Sequence, residues 1–171
     1  MKTLFAIILF AGCALAQDEA LIPQVRAACG PDNIKFDADI NEAADTAPST
    51  EQGKARVYVI GQSMTGNILA RIGLDGKWTG ALRTPSYISF PVDPGEHRLC
   101  ANWQSVFGSL KKTVALSHFT AEPGKAYYFR LRFFAAENGD RYLDLDPLDA
   151  DEGQFLAASS PLSEFHLKRH Q

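Results

Sequence analysis

Along most of the stretch from residue 34 to residue 146, apolar side chains recur at every second position, and this period commits the chain to strands. Ile34, Phe36, Ala38 and Ile40 alternate with Lys35, Asp37 and Asp39. Successive side chains on a strand point to opposite faces, so such a segment buries one face and wets the other. The same reading predicts strands over 56–60, 68–74, 77–82, 87–92, 96–103, 112–121, 126–134 and 141–146. Turn residues punctuate them at Asp75-Gly76, Pro94-Gly95, Pro123-Gly124 and Asn138-Gly139. Short strands at regular spacing, without helices between them, imply an all-β fold: an antiparallel β-sandwich of about seven to nine short strands. Residues 41–53, rich in Ala, Asp, Ser and Thr, read as an exposed linker.

The turns also set register. A two-residue Asn138-Gly139 loop would place Leu131 opposite Asp146, apolar against charge. A three-residue loop, Glu137-Asn138-Gly139 with the glycine left-handed, places Leu131 opposite Leu145 and Phe133 opposite Leu143 on the core side. Arg130 then meets Asp146 and Arg132 meets Asp144 on the outer side, as favourable cross-strand pairs. Pairing through Pro94-Gly95 would align Phe90 with Leu99 and Ile88 with Ala101. If Leu99, Ala101 and Trp103 face the core, Cys100 points outward with Arg98 and Asn102.

One short C-terminal helix is expected. Asp149-Ala150-Asp151-Glu152 matches a capping box, and Asp151 sits near the positive end of the helix dipole. Gly153 weakens the run, Pro161 ends it, and Phe155 and Leu156 are the residues expected to pin it onto the sandwich. Residues 166–171 read as a polar, flexible tail.

Residues 1–16 are not part of the fold. Lys2 supplies a positive charge, an apolar run covers 4–11, and Ala14-Leu15-Ala16 precedes Gln17. This is the pattern of a secretory signal peptide cut after Ala16. The run is well short of the roughly 20 apolar residues that span a bilayer, so no membrane span is expected. Phe10-Ala11-Gly12-Cys13 resembles a lipobox, which would leave a lipid anchor on Cys13. It is the lesser reading, because Phe10 stands where leucine is usual. The expected organisation is a signal peptide at 1–16, an N-terminal strand and acidic linker at 17–54, the β-sandwich with its helix at 55–165, and the tail. The address is periplasmic or extracellular.

Removing the leader changes the cysteine arithmetic. The chain has three cysteines; Cys13 leaves the count under either cut, and Cys29 and Cys100 remain. In an oxidising compartment these two can form a disulfide, the alternative being two buried thiols. With Cys100 outward, the bridge would strap the N-terminal segment across the outer face of its strand.

Charge is mild overall but unevenly placed. The chain carries 17 Lys and Arg against 20 Asp and Glu. Residues 17–54 hold three basic and eight acidic residues, 55–134 hold ten and four, and 135–171 hold three and eight. The acidic ends are therefore expected to fold back on the basic centre. A content of 46% apolar and 22% charged residues excludes collagen-like, disordered and disulfide-dense classes. Interleaved charges and an exported address argue against a nucleic-acid partner.

Catalytic patterns fail one by one. Gly61-Gln62-Ser63-Met64-Thr65-Gly66 lacks the second glycine of a nucleophile elbow, and a strand-like run follows where a helix must stand. His97, His118, His166 and His170 form no His-Glu-x-x-His motif, and no Cys-x-x-Cys occurs. His118 shares the face of Val114 and Leu116 and reads as a core-edge residue. Asp144, Asp146, Asp149 and Asp151 suggest calcium, but Leu148 occupies a ligand place, and the arginine pairings and the helix cap use three of the four. No catalytic residue, metal or cofactor is expected. The aromatic residues Trp78, Tyr87, Trp103, Phe107, Tyr128 and Phe134 are numerous enough to offer a ligand surface, with Trp78, Trp103 and Phe107 the candidate binding residues.

Several segments occur in a recognisable order: Arg56-Val57-Tyr58-Val59-Ile60, Gly73-Leu74-Asp75-Gly76-Lys77-Trp78 with Gly80, Tyr87, Val92-Asp93-Pro94-Gly95-Glu96-His97, and Ala121-Glu122-Pro123-Gly124-Lys125-Ala126-Tyr127-Tyr128. In these the chain resembles the bacterial exported family catalogued as domain of unknown function 2846, in its variant with Ala28-Cys29-Gly30-Pro31 near the mature start. The resemblance covers about residues 28–165 and implies an envelope or secreted β-domain, similar in style to PEGA-type surface modules, with no catalytic residues to carry over. The expectation is a non-enzymatic binding or structural module of the cell envelope, its partner an envelope polysaccharide or another envelope protein. The alternative is a carbohydrate- or cell-wall-polymer-binding protein using exposed end-loop aromatics.

Overall fold

A computed structural model describes residues 23–42, 51–62, 68–104, 114–135, 137 and 141–168. After a helical turn at 23–28 come β1 (Phe36–Asn41), β2 (Ala55–Gln62), β3 (Leu69–Leu74), β4 (Lys77–Arg83), β5 (Ser86–Val92), β6 (Gly95–Trp103) and β7 (Val114–Ala121). Then follow β8 (Ala126–Ala135), β9 (Arg141–Leu148), α1 (Ala150–Ala158) and β10 (Leu162–Leu167). The strands form a sandwich of two sheets. One has the order β1-β10-β5-β2-β8-β9 and the other β4-β3-β6-β7. The all-β sandwich expected from the alternation is the fold of the chain.

Alternate residues of both sheets meet in one core. Ala55, Val57 and Val59 of β2, Ile88 and Phe90 of β5, and Phe129 and Leu131 of β8 pack with Ala70, Ile72, Leu82, Leu99 and Ala101 of the other sheet. Each large side chain so buried contributes about 1.5–3 kcal/mol relative to exposure. The β3–β4 hairpin turns through Asp75 and Gly76, both at positive φ (49° and 81°), as a type I′ turn requires. At Pro123-Gly124 the Lys125 N–H donates to Glu122 O across the turn, with Gly124 at φ 76°.

The β8–β9 register is the expected one: Leu131 opposes Leu145, Phe133 opposes Leu143, Arg130 opposes Asp146 and Arg132 opposes Asp144. Of the loop proposed to set it, only Glu137 is among the described residues. Arg132 binds both Asp144 and Asp146, whereas Arg130 turns to Glu152 of α1, 2.8 Å away. The Asp149 cap forms, its Oδ1 accepting from Glu152 N at 2.8 Å. The reciprocal half of the capping box is replaced by the Glu152–Arg130 pair.

Four expectations need correction. First, the strands are not all antiparallel: β2 and β8 run parallel from Arg56↔Ala126 to Gln62↔Arg132, and β10 meets β5 in parallel at Leu162↔Tyr87. Second, Pro94-Gly95 joins no hairpin. It carries the chain from one sheet to the other, so Phe90 pairs with Val57 and Ile88 with Val59, and they meet Leu99 and Ala101 only across the core. Periodicity says which face is buried, not which sheet a strand joins. Third, Phe155 is 71% exposed and does not pin α1. Gly153 does: a Cβ there would fall 2.2 Å from Tyr128 Cγ, so the helix backbone rests on that ring.

Fourth, a tenth strand, β10, follows the helix and runs into the expected tail at 166–171, where His166 and Leu167 pair with Asp37 and Phe36 of β1. Its alternation is hidden because its buried position is Ser163, whose Oγ accepts from Arg83 N at 3.1 Å. β1 and β10 fold over β4. Phe36 and Ala38 pack with Ala81, Leu69 and Trp78, while the Phe165 ring lies edge-on to Phe36 and against Gly80. The Gln104 amide imitates a neighbouring strand, accepting from Phe36 N (2.8 Å) and donating to Phe36 O (2.6 Å). Arg83 Nε donates to Ala38 O. Side chains thus occupy backbone groups that an edge strand would otherwise offer to another chain.

Candidate functional site

β6 divides its residues as the alternation predicts: Leu99 and Ala101 enter the core and Trp103 packs against it, while Cys100 and Asn102 lie on the other face. Cys29 and Cys100 are disulfide-bonded with Cα atoms 5.3 Å apart. Both are buried in a second apolar cluster with Ala28, edged by Val25, Trp78, Val114 and Leu116. The segment from the helical turn to β1 therefore lies across the outer face of the four-stranded sheet. Gly30 and Gly73 make the close approach possible. A Cβ on Gly30 would fall 2.4 Å from Trp78 Cδ1, and one on Gly73 3.0 Å from Ala28 O.

Beneath this strap sits Arg71, 6% exposed. Its Nη1 donates to Ile34 O (2.6 Å) and Asp32 O (3.2 Å), its Nε and Nη2 donate to Asn102 Oδ1, and its guanidinium lies 4.3 Å from the Trp78 ring centroid. Burial pushes the guanidinium below its ordinary pKa, with the Asp32 carboxylate acting in the opposite direction. The planar fork suits this task, since it serves two strap carbonyls and a buried amide at once. The expected attraction between acidic ends and basic centre takes two forms. The C-terminal carboxylates bind Arg130 and Arg132, whereas the N-terminal segment offers backbone carbonyls to Arg71 and Arg83.

The aromatic candidates are placed otherwise than expected. Trp78 lies within β4, half-buried under the strap, its Nε1 donating to Pro31 O at 2.7 Å. Trp103 packs against the core and edge-on to Phe133, with ring centroids 5.2 Å apart. Neither is an exposed end-loop platform, because an apolar outer face drew the strap over Trp78 and the inward phase of β6 took Trp103. Phe107 lies outside the described residues. Among the described residues the exposed Phe, Tyr and Trp rings are Phe134, Tyr142, Phe155 and Phe165. Tyr58, Tyr87 and Tyr128 gather on the other face of the six-stranded sheet, Tyr58 and Tyr128 stacked at 4.8 Å. Burial and the neighbouring Tyr58 push the Tyr87 and Tyr128 phenols up.

The histidines also separate. His166 is in β10, and His170 lies outside the described residues. His118 does share the face of Val114 and Leu116, but this is the strapped face rather than the core edge, and beyond the strap His118 is exposed. His97 clamps two end turns: Nδ1 lies 2.7 Å from Asp75 Oδ2 and Nε2 2.7 Å from Asp93 O. Burial opposes its charge, yet the bonds to Asp75 and Asp93 and their carboxylates outweigh it and hold the imidazole above its ordinary pKa of about 6.5. A raised folded pKa means stabilisation that is full below about pH 6.5 and lost as pH rises through the folded value. The urea midpoint is therefore expected to fall as pH rises above about 6.5. Asp75→Asn, which keeps an acceptor for Arg98 N, is expected to flatten that fall; identical profiles would dismiss His97 as its source.

No family model, curated protein or solved structure matches the chain. Among the described residues no group of three or more His, Cys, Asp or Glu is placed to hold a metal ion, and no helix is long and apolar enough to cross a membrane. What the geometry does supply is a groove of about 460 Å³ beside the strap, lined from the helical turn by Pro23, Gln24 and Ala27 and from β6 and β7 by Arg98, Leu116 and His118. Sequence reasoning missed it, and missed Arg71. The available signal was the composition of the outward phase: Leu69 and Gly73 of β3, Trp78 and Ala81 of β4 and Cys100 of β6 are too apolar for a wet face.

Proposed function

We propose that the chain is an exported, non-enzymatic β-sandwich that serves as a binding or structural module of the bacterial cell envelope. The observation that carries this reading is the buried Cys29–Cys100 disulfide at the centre of the strap. Such bonds persist in oxidising compartments, and the chain opens with a leader pattern that would deliver it to one. The resemblance to the exported family of unknown function, on the segments quoted above, points the same way.

The non-enzymatic reading is supported by how reactive groups are used. Both His97 nitrogens are engaged. Asp144 and Asp146 bind Arg132, Glu152 binds Arg130, and Asp149 caps α1. All but the helix cap hold one element of the sandwich to another.

Expression of the full chain and of a leaderless chain in a bacterium tests the reading. The full chain is expected in the periplasm or medium, starting at Gln17 and oxidised; the leaderless chain is expected in the cytoplasm with reduced thiols. Retention of the full chain in the cytoplasm, uncleaved, would overturn it. Recovery in the membrane fraction with a lipid on Cys13 would replace the Ala16 cut by the anchored form of the same module.

A further inference from the structure

The groove beside the strap has two unlike sides. Ala28 and Leu116 are part of the apolar cluster around the disulfide, and they give it an apolar lining. Arg98 and His118 supply its polar side; they face one another across β6 and β7, and both are exposed. The position of Arg98 is fixed through its backbone, whose N–H donates to Asp75 Oδ1 at 2.9 Å. Its guanidinium has no partner among the described residues. That sets it apart from Arg71, Arg130 and Arg132, which bind Asn102, Glu152 and Asp144. A concavity of this volume is within the range of ligand sites, which pair apolar lining with a few placed polar groups.

We infer that this groove binds an acidic peptide segment of a partner protein. The Arg98 guanidinium takes a carboxylate, His118 adds a second donor, and a neighbouring apolar side chain rests on Leu116 and Ala28. A carboxylate is the group that a forked guanidinium matches best. Among the described residues no Phe, Tyr or Trp ring lines the groove to stack on a neutral sugar, and a single guanidinium on a chain of net charge −3 is a poor polyphosphate surface. This inference deepens the binding-module reading and rests on it. One rival occupant is close at hand: Asp18 and Glu19 shortly precede Pro23 in the chain's own sequence.

The test uses a fluorescently labelled pentapeptide absent from the chain, Glu-Asp-Ala-Val-Leu, and its Gln-Asn-Ala-Val-Leu counterpart, titrated by anisotropy into the oxidised chain beginning at Gln17. Saturable binding of the acidic peptide is expected, roughly tenfold weaker for the amide peptide and for Arg98→Gln, as for loss of one charge-assisted bond. Arg26→Gln serves as the charge-matched control, because Arg26 is exposed on the same helical turn but does not line the groove; it is expected to leave binding unchanged. Circular dichroism and urea unfolding check that Arg98→Gln folds. The inference is overturned if the acidic peptide does not saturate, if both arginine variants weaken binding equally, or if Arg98→Gln has no effect. Binding that appears only once residues 17–22 are removed would also overturn it, since the groove would then belong to the chain's own N-terminus. A well-exported, disulfide-bonded chain that fails these titrations loses the groove assignment while the envelope-module reading stands.

Discussion

Replacing Cys29 and Cys100 together by alanine is expected to lower the free energy of unfolding by about 4 kcal/mol. The bond joins residues 71 apart, so it removes a long loop's worth of freedom from the unfolded chain. Ordinary domains are stable by about 5–15 kcal/mol, so the variant would keep only a fraction of that margin. Alanine is the right replacement, because both sulfurs sit in an apolar cluster where a serine hydroxyl would lack a partner. The loss is read from urea unfolding under non-reducing conditions. Hydrogen exchange should localise it, with 25–35 and β6 losing protection while β2, β5 and β8 keep theirs. A fall below about 1 kcal/mol would show that the bridge constrains little and that the strap is held by its other contacts.

The second large effect concerns Arg71. Arg71→Met keeps much of the volume but removes the fork, and with it one donor to each of the Asp32 and Ile34 carbonyls and the donors to the buried Asn102 amide oxygen. Truncating one side of a buried charged hydrogen-bond network costs about 3 kcal/mol. Arg71→Lys retains the charge but cannot reach three acceptors in a plane, so it should recover less than half of the loss. Because Arg71 and the disulfide hold the same strap, their effects should not add: once the strap is unlinked, removing Arg71 costs less. Full additivity, or a neutral Arg71→Met, would contradict the role assigned to Arg71.

How far these features could be read in the sequence depends on what alternation encodes. Period two gave nine of the strands close to their observed limits. The demand that Leu131 and Phe133 oppose apolar residues rather than charge gave the β8–β9 register. Alternation also gave the outward phase of Cys100, and with it the expected strap. Alternation does not encode which sheet a strand enters, and so the Pro94-Gly95 connection reads as a hairpin although it crosses the sandwich. β10 escaped because its inward residue is Ser163, satisfied by a hydrogen bond to Arg83 rather than by apolar burial. Gly153 reads as a weakness of the helix, although the missing side chain is what lets α1 rest on Tyr128. Residue type alone marks Trp78 and Trp103 as ligand candidates, and type does not tell a binding ring from one that packs under a strap or against a core.

The central claim is the covalent strap, and peptide mapping tests it most directly. Protein recovered from the bacterial envelope without reductant, alkylated and digested, is expected to yield one linked pair of peptides, one holding Cys29 and the other Cys100. Reduction should release both. Separate Cys29 and Cys100 peptides, each alkylated before any reduction, would contradict the strap and the exported reading built on it.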